Sequence, residues 1–132
     1  MERKNLLIGT LWIVLFLALG LFLQLKPAAG KDWSSELDWL RSNVRLIWRS
    51  AHIHGIAFGA LNILMGLMIK ILELKGDRAA LASLLALVGA LLFPTATFFA
   101  SFYRKIAGLT VIGAVSMIIA WAILYFEIKG KV

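Results

Sequence analysis

Two histidines, His52 and His54, stand at the start of a long uncharged run, in Ala51-His52-Ile53-His54-Gly55-Ile56-Ala57-Phe58-Gly59. Ionisable side chains at membrane depth are rare and are functional candidates by default. At about 100° per helical residue, positions two apart point to nearly opposite faces, so this pair is badly placed to chelate one metal ion together. Either histidine alone has the chemistry of an axial ligand, through a neutral imidazole nitrogen, to a metal, a haem or a chlorophyll-type pigment. The face of His54 continues through Phe58, Asn62 and Met65. Gly55 and Gly59 form a small-xxx-small pair, which admits either a neighbouring helix or a flat macrocycle close to the backbone. The face of His52 runs back to Arg45 and Arg49, whose guanidinium groups suit haem propionates, lipid phosphates or acidic residues of a partner.

Each of these residues also has a plainer reading. A histidine at a span end is often an interfacial group bonded to water or a carbonyl. The glycine pair is ordinary helix packing, Asn62 an interhelical hydrogen bond, and Met65 and Met68 core filler rather than copper ligands. The arginine stripe reads as a lipid-facing surface. No nucleophile has an adjacent base, and neither a Gly-rich phosphate loop nor a metalloprotease helix motif is present. The acids lie in turns and near the ends, so the buried carboxylates usual in proton or ion pathways are missing from the spans. The absence of cysteine excludes disulfides, Cys-ligated zinc and iron–sulfur clusters. Catalysis by this chain alone is therefore not expected.

The elements that must position these residues are legible in the distribution of charge. Of 132 residues, 61% are hydrophobic and 16% charged, against about 25% charged in soluble domains. The charges cluster between long apolar runs. Four spans are expected, at about 6–25, 51–72, 79–102 and 106–126, giving an all-α four-transmembrane-helix bundle as a single membrane domain. The first run is too long for a secretory signal core of about 7–15 residues and reads as a span. Pro94 should kink the third span and leave the Ala90 carbonyl free, with Thr95 and Thr97 near enough to help satisfy it. Between the second and third spans, Gly76 suits a helix C′ position and Asp77 a cap for the next helix.

The link from Lys26 to Ser50 has a different pattern. Trp33, Leu37, Leu40, Val44 and Ile47 follow helical spacing, and Arg41, Arg45 and Arg49 recur on another face. An amphipathic interfacial helix over about 33–49 is expected, with Trp33, Trp39 and Trp48 at headgroup level. The net charge of +7 belongs to these span flanks, which points to lipid headgroups rather than nucleic acid. Orientation is evenly balanced. Arg3, Lys4, Lys70, Lys75, Arg78, Lys129 and Lys131 lie on the side of the termini, and Lys26, Lys31, Arg41, Arg45, Arg49, Arg104 and Lys105 lie opposite. A short basic stretch before the first span favours cytoplasmic termini in a bacterial inner membrane.

The stretch Arg49-Ser50-Ala51-His52-Ile53-His54-Gly55, through Asn62 and Gly66, resembles small four-span bacterial membrane proteins whose second helix opens with His-x-His-Gly. It is also distantly similar to the haem-ligating helix of haem–copper oxidase catalytic subunits, which begins with an Ala-His pair. That likeness covers about twenty residues and implies His52 as the ligand position. The copper-ligating histidines of the oxidase core have no counterpart, so oxygen reduction is not implied. The expected function is a small accessory subunit of a larger, bioenergetic membrane complex. The alternative is a haem- or pigment-binding subunit with His54 or His52 as axial ligand.

Overall fold

The computed structural model describes residues 2–28, 38 and 41–130. It is all-helical in these residues, with α1 Glu2–Ala28, α2 Asn43–Ile71, α3 Asp77–Phe99, a 3-10 turn Arg104–Ala107 and α4 Gly108–Lys129. All four α-helices are long and apolar enough to cross a membrane, as an integral membrane protein requires. The interfacial helix expected over about 33–49 lies partly outside the described residues, and of its described residues before α2, Asp38 and Arg41 are helical. Residues 29–37, 39 and 40, including Trp33, Leu37, Trp39 and Leu40, lie outside the described residues. Val44, Arg45, Ile47, Trp48 and Arg49 belong instead to the first turns of α2, which Ser42 caps by accepting the Arg45 N–H at 3.2 Å. The helix that carries the second span therefore starts eight residues before the expected start of that span.

Lipid tails are as apolar as leucine, so membrane helices gain little from hiding apolar surface against one another. They associate through close packing and interhelical hydrogen bonds. Both hairpins here follow that logic. Along the α1–α2 seam, Gly9 faces Gly59 so tightly that a methyl on Gly9 would sit 2.6 Å from the Gly59 carbonyl oxygen. Along the α3–α4 seam, a methyl on Gly89 would sit 2.9 Å from the Gly113 carbonyl oxygen. Ala82, Ala86 and Ala90 recur every four residues on α3 and are fully buried. Small residues thus fill the interior, while most bulky side chains, such as Leu7, Leu21, Ile71, Val111 and Ile118, point outward.

The principal packing runs α1 on α2, α2 on α3 and α3 on α4, with α1 touching α3 only lightly. This leaves part of α3 uncovered between α1 and α4. One recess of about 360 Å³ there is lined by Lys4, Leu7, Ile8, Leu84, Leu87, Val88 and Leu91. A second, of about 350 Å³, continues from Leu91 past Trp12, Thr95 and Phe99 to Ile106 and Leu109. The two share Leu91 and form one apolar trough along α3.

The helix ends differ in detail from expectation. Gly76, at φ 99°, is the N-cap of α3 rather than the C′ residue of α2, and Asp77 makes no capping bond. The left-handed residue that ends α2 is Glu73, at φ 48°. Its N–H donates to Lys70 O at 3.3 Å, and the Leu74 N–H donates to Ile69 O at 3.0 Å, the paired bonds of a Schellman motif. Leu74 and Ile69 are both buried in the core and supply the hydrophobic contact that accompanies it. α3 runs through Pro94 as a helix, and the Thr97 hydroxyl donates to Phe93 O at 2.8 Å rather than to Ala90.

Candidate functional site

α2 carries both histidines on opposite faces, as the 200° between positions two apart requires. His52 faces α1. Its Nδ1 lies 2.5 Å from Phe16 O, and because a carbonyl only accepts, Nδ1 carries the proton. Gly20 of α1 lies directly against the imidazole, and any side chain there would collide with the ring. His54 faces α3. Its Nδ1 donates to Ser50 O at 2.8 Å, with Ser50 Oγ at 3.3 Å from the same nitrogen. Its ring lies 4.7 Å from that of Phe93, which stacks at 4.7 Å on Phe58. Both imidazoles are half-buried, and in both the Nε2 atom has no hydrogen-bond partner among the described residues. A neutral histidine whose Nδ1–H is held by a carbonyl presents a basic Nε2 lone pair, the arrangement that ligating histidines use.

Gly55 and Gly59 are covered by α1. The Phe16 ring sits over Gly55, and the Gly9 backbone and Ile13 sit over Gly59. Surface over the glycine pair is thus helix-to-helix contact, and a macrocycle held by either Nε2 would lie away from it. No group of three or more His, Cys, Asp or Glu side chains converges among the described residues.

Arg45 and Arg49 share a recess with His52. With Gly20, Leu23 and Gln24 of α1 they line a space of about 160 Å³ between the two helices. Gly20 and Gln24 were not apparent from the sequence as site residues, since an uncharged amide near a span end gives no signal by itself.

Asn62 does make the interhelical bond expected of it, within a larger network. Asn5 Nδ2 donates to Asn62 Oδ1 at 2.7 Å and to Ser83 O at 3.3 Å. Asn62 Nδ2 donates to Asn5 O at 3.3 Å, and the Ser83 hydroxyl donates to Asn5 Oδ1. All three side chains are nearly inaccessible, and together they join α1, α2 and α3. Met65 is fully buried in the core and Met68 packs against it.

Trp48 closes the opposite end. Its indole N–H donates to Ser101 Oγ at 2.9 Å, and its ring stacks on Phe98 at 5.1 Å and tilts against Phe22 at 5.9 Å. It is a three-helix clamp rather than a free headgroup anchor.

Comparison with protein-family models, curated proteins and solved structures finds no match for this chain.

Proposed function

We propose that this protein is a small accessory subunit of a larger, bioenergetic membrane complex, held in a bacterial inner membrane with its termini in the cytoplasm. The observation that carries the reading is the apolar trough over α3, flanked by α1 and α4. Ridges and grooves are how helices recognise one another. A trough that runs along a span, edged by Leu7, Leu91, Trp12 and Leu109, suits the side-chain ridge of a helix from another subunit. The test is native electrophoresis in mild detergent, with identification of the chains that migrate with the protein. Co-migration with a multi-subunit complex, weakened by Leu87→Trp or Leu91→Trp in the trough, is the expected result. A protein that migrates only as an isolated monomer defeats the reading.

The two imidazoles favour a second reading, a haem- or pigment-binding subunit with His52 or His54 as axial ligand. Its support is the shared geometry of a carbonyl-held Nδ1–H and an Nε2 without a hydrogen-bond partner among the described residues. The phenyl rings beside His54 and the guanidinium groups beside His52 are suited to a macrocycle face and to propionates respectively. A visible spectrum of the purified protein, before and after reduction, tests it. A Soret band lost in His52→Ala or in His54→Ala supports ligation, and a colourless folded protein rules out haem and chlorophyll alike.

A further inference from the structure

An arginine and a glutamate meet across the α3–α4 seam where the uncharged runs of both helices stop. Arg78, in the first turn of α3, donates to Oε1 of Glu127, in the last turn of α4, at 3.4 Å. A well-formed charge-assisted hydrogen bond is about 2.7–2.9 Å, so the two groups approach without closing on each other. This is the one polar contact of either side chain among the described residues, which leaves Glu127 Oε2 and the other guanidinium N–H groups unused. The Arg78 side chain is 80% exposed and that of Glu127 19%. Both line a recess of about 360 Å³ whose other walls are Leu81, Ile123 and Phe126. It shares no lining residue with the trough. No charge follows Arg78 before Arg104, and none precedes Glu127 back to Ile106, so the pair marks the edge of the hydrocarbon. The exposed rings of Tyr125 and Phe126 beside it place this level in the headgroup region.

We infer that this recess binds a zwitterionic phospholipid whose headgroup carries a primary ammonium, of the phosphatidylethanolamine class. The Arg78 guanidinium can offer paired N–H donors to phosphate oxygens, and the Glu127 carboxylate accepts from the ammonium. Two ion pairs then replace one long one, and little is lost, because exposed side-chain pairs contribute little by themselves. The lining holds one cation and one anion, so it matches a headgroup that carries both. An anionic headgroup satisfies Arg78 but brings no cation to Glu127. A choline headgroup brings a cation with no N–H to donate, whereas a primary ammonium has three donors. The walls select a lipid over a soluble zwitterion. Leu81 and Phe126 are exposed, as is Ile119 one turn below Ile123, so acyl chains find apolar surface directly beneath the headgroup. The site does not depend on the subunit reading, because the recess is complete within one chain and separate from the trough.

The whole protein, delipidated in a maltoside detergent, tests this. Native mass spectrometry measures the retention of phosphatidylethanolamine, phosphatidylcholine and phosphatidylglycerol of matched acyl chains. Phosphatidylethanolamine should bind about tenfold more tightly than either of the others. Glu127→Gln should abolish the preference over phosphatidylcholine, and Arg78→Gln should weaken phosphatidylethanolamine binding by about tenfold. Loss of discrimination is a readout that a purely structural role for Glu127 would not move. Retained lipid is read without an unfolding transition, so a marginally stable variant still reports. Glu2→Gln/Lys4→Gln removes one acid and one cation from the same end of the bundle, where Lys4 lies beside Leu84, and should leave binding unchanged. Four results overturn the assignment: equal retention of the three lipids by the unaltered protein; a preference for phosphatidylethanolamine that survives Glu127→Gln; equal loss in the Glu2/Lys4 control; or displacement of the lipid by soluble phosphoethanolamine at equal concentration.

Discussion

Asn5, Asn62 and Ser83 are nearly inaccessible, and in a hydrocarbon surrounding their polar atoms have no water as an alternative partner. Asn5 therefore depends on both Asn62 and Ser83, and each of those depends on Asn5. Individual interhelical hydrogen bonds in membranes contribute about 0.6 kcal/mol on average and up to about 1.7. Asn62→Leu removes two of the four bonds in this network and strands part of Asn5, so a loss of about 1–2 kcal/mol is expected. Reversible unfolding in mixed micelles measures it. A double-mutant cycle with Asn5→Leu should show the two losses to be less than additive, since both variants break the same contact. Only Asn62 was legible as an interhelical group beforehand. Asn5 follows Glu2, Arg3 and Lys4, so in sequence it looks like one more headgroup-facing residue. The lateral fit of α1 on α2 is what carries it inside.

At the scale of elements, the end of α2 shows a local choice that the residue pattern hides. A left-handed C′ position is usually glycine, and Gly76 was the glycine available. The chain instead places Glu73 there, because this register lets Leu74 reach back onto Ile69 within the core. Burial of two apolar side chains outweighs the cost of about 1 kcal/mol for a side chain in left-handed backbone. Glu73→Gly keeps the motif and removes that cost, so it should be more stable than Glu73→Ala, which also lacks the carboxylate, by up to about 1 kcal/mol, read from the same unfolding equilibrium. The start of α2 was misplaced for a related reason. Arg45 and Arg49 mark the limit of the uncharged run, but a long basic side chain keeps its stem among apolar groups while its head reaches polar surroundings. Charge marks where hydrocarbon ends, not where a helix ends.

For the molecule as a whole, four helices are long and apolar enough to cross a membrane, and four crossings would put both termini on one side together with the α2–α3 link. The chain lacks native cysteine, so single introduced thiols report position without background. Cysteines at Gly76 and Gly130 should react with a membrane-impermeant maleimide from the same side, and one at Arg104 from the other. Labelling of all three from one side would contradict four crossings. The same architecture explains why α3 is partly bare. α1 packs along α2, and the contacts of α4 run along α3, so the outermost helices flank α3 without closing over it.

Sequence alone determined the number of helices long and apolar enough to cross a membrane, the helical class and the opposed faces of His52 and His54. Each follows from a one-dimensional quantity, either the run of uncharged residues against bilayer thickness or the helical angle per residue. It also singled out Asn62 and placed Arg45, Arg49 and His52 on one face. Which helix each face meets was decided only by tertiary packing, because close approach of glycine and alanine seams depends on relative height and rotation that no local pattern encodes. That packing set α1 over Gly55 and Gly59, drew Asn5 and Ser83 to Asn62, and brought Gly20 and Gln24 to the arginine face to form a recess.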